Sequence, residues 1–146
     1  YQFDVLVHEF FQRKNQPNGR FSHKLYNALK LTESDNSYFA FTGVEWKSKD
    51  VIHVDKNIFA RLLGINTANG SLFHQQGNFP SFGFVELTME EIIKRFGDDV
   101  IKNNDIEVNR YLIHSPGVFV RNCSEKDIVD DIKWKGIRQR KSEKQY

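Results

Sequence analysis

The sequence predicts an α+β domain: a small antiparallel sheet among helices, with an additional helix near the C-terminus. Three observations carry this. Apolar residues recur at helical spacing behind good capping residues, two short β-branched runs are separated by a polar turn, and glycines punctuate the boundaries. At 146 residues with 39% apolar content and thirteen Phe, the chain is large enough to bury one core. Residues 1–132 read as one domain and residues 133–146 as a basic tail or linker.

The elements follow in order. Phe3 to Lys14 sets Val5, Leu6, Val7, Phe10 and Phe11 at near-helical spacing, with Asp4 and Glu9 early and Arg13 and Lys14 late, a polarity that suits the helix dipole. Gln16-Pro17-Asn18-Gly19 breaks the chain. A second helix runs from about Phe21 to Leu31, with Phe21, Leu25, Tyr26 and Leu29 on one face. Gly43 to Trp46 and Val51 to Val54 read as strands joined by a polar turn from Lys47 to Asp50. Asp55 is a good N-cap for a third helix carrying Ile58, Phe59, Leu62 and Leu63, and Gly64 ends it.

Asn66 or Thr67 then caps a short polar helix predicted to reach about Gln76, with Leu72 and Phe73 inward and Ser71, His74, Gln75 and Gln76 outward. Gly70 weakens that helix by roughly 1 kcal/mol relative to Ala. Phe79 to Val85 reads as a turn entering a strand. Thr88 caps a helix carrying Met89, Ile92, Ile93 and Phe96, stopped by Gly97. Tyr111 to Ile113 and Val118 to Val120 suggest a hairpin around Ser115-Pro116-Gly117, and Ser124 caps a last helix with Ile128, Val129 and Ile132 inward. Trp46, Phe59, Leu62, Leu63, Leu72 and Phe73 are assigned to the core.

One stretch stands apart chemically. Residues 62–85 contain no Asp, Glu, Lys or Arg, in a chain that is 27% charged. Solvated surface normally fills with charge, and a core does not hold Asn66, Asn69, His74, Gln75, Gln76 and Asn78. Neutral amides and hydroxyls suit docking on a partner rich in donors and acceptors. DNA base edges are such a partner, and Asn and Gln pair with adenine through two hydrogen bonds. A Gly/Asn-rich loop is the plainer alternative.

The order helix, helix, strand, strand, helix, turn, polar helix, strands is that of a winged helix, the helix-turn-helix variant whose second helix enters the major groove. The segments FSHKLYNAL, GVEW, VIHVDKNIFARLLG, GSLFHQQ and FGFVEL resemble the DNA-binding domain of heat-shock transcription factors. They are more similar to its diverged relative, the initiator-binding domain of trichomonad core-promoter-binding proteins. The resemblance covers about Arg20 to Leu87 and implies sequence-specific binding of double-stranded DNA by a nuclear transcription factor, at a core-promoter initiator. It departs at His74, where heat-shock factors carry a guanine-binding Arg, and at the insertion Gln76 to Ser81, and no coiled-coil segment follows. The heat-shock target site is therefore not carried over.

On this reading Asn69, Ser71, His74, Gln75 and Gln76 contact bases. Arg20, Ser22 and Lys24, at the start of the second helix, and Lys47, Lys49, Lys56 and Arg61, around the strand turn and third helix, contact phosphates and fix register. A solvent-exposed polar helix face and ordinary solvating charges are the competing readings of these two sets. Net charge is only +2, but Lys133 to Lys144 holds six cations against Glu143, the pattern of a basic arm or of a linker to a further domain that would engage transcription machinery.

Other functions have less support. Cys123 is alone, which gives no disulfide framework or cysteine metal site and fits a reducing compartment. The five histidines lie in different elements without metal-ligand spacing, and no cofactor motif is found. Asp98-Asp99 and Asp130-Asp131 are neighbours that do not face each other on a helix, so no enzyme is expected. No apolar run approaches membrane-spanning length. The principal alternative is a winged helix used for protein interaction or dimerisation, which would expose an apolar patch such as Phe79 and Phe82.

Overall fold

A computed structural model describes residues 7–12, 21–66 and 69–128. Within the predicted N-terminal helix only the wide helical turn Val7–Phe11 is described, and Phe11 is buried against the core. Helix α1 spans Phe21–Ser34, past the predicted end at Leu31. Thr32 sustains the extension: its hydroxyl meets both the Ala28 carbonyl oxygen (3.1 Å) and the Thr42 hydroxyl (2.6 Å), so a polar residue is buried with partners. A short 3₁₀ turn, Asn36–Tyr38, and the helical turn α2, Phe39–Thr42, connect α1 to the sheet and had no clear periodic signal in the sequence.

Strands β1 (Val44–Trp46) and β2 (Val51–Asp55) pair antiparallel with Val44 opposite Val54, as the two β-branched runs predicted. Helix α3 spans Lys56–Leu63. The Asp55 carboxylate accepts from the Asn57 and Ile58 amides, both at 3.1 Å, and Gly64 closes the helix. The short helix α4 (Asn78–Ser81), strand β3 (Phe84–Glu86), helices α5 (Met89–Phe96) and α6 (Asp99–Asn103) and strand β4 (Asn109–His114) follow.

The sheet order is β1-β2-β4-β3, all antiparallel, and β4 lies between β2 and β3. Strands β3 and β4 pair although residues 87–108 between them make a helical excursion. Alternation along β2 and β4 divides the apolar residues. Ile52, Val54 and Leu112 join the main core with Leu25, Leu29 and Phe59, while Val51 and Tyr111 join Leu87 and Ile92 of the excursion in a second cluster. Strand β4 thus ties the described residues after Leu87 into the same sheet as β1 and β2.

Several expectations are corrected. The hairpin of 111–113 with 118–120 does not form. Both edges of β4 are occupied by β2 and β3, and the Phe119 amide bonds the buried His114 ring instead. Helix α5 packs through Ile92, with Phe96 partly buried beside it, while Met89 and Ile93 are 50% and 40% exposed. Of the predicted C-terminal helix only the start is described, as the 3₁₀ turn Glu125–Ile128 with Ile128 buried; Val129 and Ile132 lie outside the described residues. Trp46 and Phe73 are half-buried, whereas Phe59, Leu62, Leu63 and Leu72 are buried. Phe79 and Phe82 are also buried, at 0% and 8% exposure, so they offer no patch to a protein partner.

Candidate nucleic-acid interface

The neutral stretch leaves α3 and folds back on itself twice. A wide, π-helical turn spans Asn69–Phe73, a tight turn follows, and α4 occupies Asn78–Ser81. The sequence suggested one helix running to Gln76; the helical turn ends at Phe73 instead. Aromatic packing explains the difference. Phe73 stacks on Phe79 with ring centroids 5.4 Å apart, and Phe79 meets Phe21 of α1 edge-on at 5.0 Å. A straight helix would carry those rings apart. The Gly77 amide donates to the His74 carbonyl oxygen at 2.7 Å and closes the turn. A Cβ on Gly77 would lie 2.9 Å from the Leu72 carbonyl carbon, so the reversal requires glycine there.

The result is a polar projection on an aromatic base. Leu72 and Phe79 are fully buried, while His74, Gln75 and Gln76 between them are exposed and Ser71 is half-buried. Asn69 opens the wide turn. The Ser81 hydroxyl donates to the Gln76 carbonyl oxygen at 3.3 Å, which helps hold the turn backbone. Three of the expected base-reading side chains thus stand together on one tight turn rather than along a helix face.

The expected phosphate contacts divide into groups. Lys56 and Arg61 lie on α3, which leads into the neutral stretch, and Arg61 is exposed. Beside Arg61 runs an open groove of about 390 Å³ lined by Asn57, Ala60, Arg61, Gly64, Ile65 and Asn66, with a cation and two amides and no acid. Lys24 sits in the first turn of α1, whose Phe21 packs on Phe79. Ser22, in contrast, is fully buried and its hydroxyl does not face solvent; the sequence placed it beside Lys24 without fixing which way the turn faces. Arg20 lies outside the described residues.

Lys47 and Lys49 occupy the turn at the opposite end of β2 from Asp55 and α3, and Lys47 Nζ stands 5.8 Å from the Phe96 ring centroid. Beside them burial pushes the Asp50 carboxyl up, but a Ser48 hydroxyl bond and the Arg95 guanidinium hold it below the usual carboxylate range. The turn is therefore tied to α5, and any contact it makes with a duplex is separate from that of α3.

Two residues escaped the sequence reading. Asn57 lines the groove, and Arg110 reaches from β4 to the neutral stretch, its guanidinium 4.9 Å from the Phe73 ring centroid. Arg110 belongs to a segment that leans acidic, and nothing in its local sequence distinguishes it.

The family model of the transcription-initiator DNA-binding domain, IBD, matches residues 1–114. The chain belongs to this family. The match runs well beyond Arg20 to Leu87 and ends at the last residue of β4, so it includes the helical excursion and the central strand. Among solved structures the IBD chain resembles the crystal structure of the T. vaginalis IBP39 initiator-binding domain bound to the alpha-SCS Inr element. The two are 23% identical with a TM-score of 0.52, over 80% of this chain and 85% of that one. That likeness supports the IBD fold. No curated protein matches the chain. Sequence-specific binding of double-stranded DNA at the transcription initiator is the function of this family. No described helix is long and apolar enough to cross a membrane.

Proposed function

We propose that this IBD reads a core-promoter initiator in the major groove with the turn carrying His74, Gln75 and Gln76, helped by Asn69 and Ser71. The observation that carries this reading is the contrast within one short segment: His74 and the neutral amides of Gln75 and Gln76 are exposed, while Leu72 and Phe79 on either side are fully buried. An amide on a fixed turn loses little freedom on binding, and the neutral surroundings favour base edges over phosphates. Lys24 on α1 and Lys56 and Arg61 on α3 serve as phosphate contacts, and the acid-free groove beside Arg61 has room for the sugar-phosphate backbone. Lys47 and Lys49 form a second contact at the far end of the sheet, and Arg20 a further one from outside the described residues. Ser22 has no part in this set, because it is buried.

The reading gives the chain a nuclear place and a binding role without a reaction. Residues 133–146, outside the described residues, serve in it as a basic arm or a linker toward transcription machinery. Selection from a random duplex library at two salt concentrations tests the reading, followed by Gln75→Ala and Gln76→Ala. Each variant that removes a paired base contact is expected to lose about 1–3 kcal/mol on the selected duplex and little on unrelated DNA. Equal losses on both would overturn the assignment of this turn as the reader. Truncation before Lys135 is expected to flatten the slope of log affinity against log salt by about 0.9 per lost phosphate contact if the tail lies along the duplex; parallel slopes would make it a linker.

A further inference from the structure

Arg110 is committed to other parts of the protein in a way that leaves it unsuited to touch DNA. Its side chain is 19% exposed. Nη1 bonds Glu86 Oε1 of β3 at 2.7 Å, Nε donates to the Glu107 carbonyl oxygen at 3.1 Å, and Nη2 lies 3.6 Å from Glu107 Oε2. With its fork held by these acceptors, the guanidinium lies over the Phe73 ring, 4.9 Å from the centroid. Phe73 is the residue immediately before His74, Gln75 and Gln76, and its ring also stacks on Phe79.

We infer that Arg110 is a positioning residue for DNA recognition: it clamps Phe73 and so sets the angle at which the turn 74–76 is presented. This inference rests on the proposed reading of that turn. Phe73 is half-buried, and its ring is held by Phe79 and the Arg110 guanidinium together. The turn that follows spans only His74 to Gly77, so a tilt of Phe73 passes directly into the amides of Gln75 and Gln76. The planar fork matters more than the charge. A lysine keeps the cation but cannot satisfy Glu86 and the Glu107 carbonyl while lying flat on a ring. The excursion from Leu87 to Val108 thereby acquires a role, because Glu107 and the start of β4 hold the clamp in place.

Two measurements on Arg110→Met and Arg110→Lys test this. The first is affinity for the duplex selected by the wild-type chain and for an unrelated duplex of equal length. A loss of about tenfold on the selected duplex, with less than about twofold on the other, is expected for lost pre-organisation. A direct phosphate contact or general unfolding would weaken both alike, and either result overturns the inference. The second is amide hydrogen exchange at Gly77, whose N–H donates to the His74 carbonyl oxygen. It should accelerate about tenfold relative to Leu29 in α1. Unchanged exchange at Gly77 would overturn the clamp. If the wild-type chain selects no duplex, the reading of the turn fails, and the exchange result alone decides whether Arg110 holds it. Should Arg110→Met not fold, Arg110→Lys keeps the stem and the charge and is read in the same way.

Discussion

The imidazole of His114 donates through Nε2 to the carbonyl oxygen of Phe82, 2.8 Å away, inside the core. That bond fixes the tautomer and leaves Nδ1 to accept from the Phe119 amide at 3.0 Å and, more weakly, the Val118 amide at 3.3 Å. One buried ring thus joins the end of the neutral stretch, the central strand and the chain that returns beneath it. His114→Ala should leave these groups without partners and open a cavity, costing about 2–4 kcal/mol. A urea titration would detect it as a lowered midpoint with little change of slope. An unchanged midpoint would mean that the 118–120 segment is held by something else.

Gly43 sits in a tight position. At φ +70° its Cβ would stand 2.6 Å from the Phe59 amide nitrogen and 2.9 Å from the Asp55 carbonyl oxygen, where the start of α3 crosses behind the entry to β1. Gly43→Ala therefore combines left-handed strain of roughly 1–2 kcal/mol with overpacking of about 1–3 kcal/mol. Gly117, at φ +78° with nothing near its Cβ position, isolates the first contribution. Thermal unfolding of the two alanine variants should separate by the second. Equal shifts would show that α3 can move away.

Helix α5 begins with a reciprocal cap. The Thr88 hydroxyl accepts from the Glu91 amide at 3.2 Å, and the Glu91 carboxylate accepts from the Thr88 amide at 2.9 Å. Thr88→Ala should cost about 1 kcal/mol. The Thr88 amide also holds the Glu91 carboxyl below its ordinary value of 4.5. A depressed value in the folded state means that the ionised cap stabilises above 4.5 and loses that effect as pH falls through the lower, folded value. Thermal midpoints measured through the carboxylate range should fall more steeply for the wild-type chain than for Glu91→Gln. Parallel curves would remove the cap from the acid response.

Trp46 ends β1 and leans on Phe119, with ring centroids 6.0 Å apart, but it is only half-buried. The sequence alone suggests a tryptophan between sheet and helix whose truncation unfolds the domain. With part of the ring in water, Trp46→Ala should cost about 2 kcal/mol, short of the roughly 3–5 kcal/mol of a fully buried aromatic. Fluorescence-monitored unfolding cannot follow this variant cleanly, so circular dichroism is the appropriate readout. Complete loss of structure would mean that Trp46 holds the β1 edge alone.

What could be read from the chain was local in origin. Asp55 and Thr88 declare their helices because a cap and its amides lie within three residues, and the strands 44–46 and 51–55 declare themselves because a short turn joins them. The missing charge between residues 62 and 85 was legible because side-chain type does not depend on the fold. Only the tertiary structure decided the rest. Asn109 to His114 becomes the central strand by pairing with two segments distant in sequence, and that leaves Val118 to Val120 no edge to join. Ser22 and Lys24 read alike in sequence, yet the packing of Phe21 turns one inward. The expected recognition helix gives way to a tight turn because stacking of Phe73 on Phe79 outweighs helix propensity, a term of at most about 1 kcal/mol per residue for anything but proline. Arg110 acquires its place from the sheet register, opposite Val54, which no local pattern encodes.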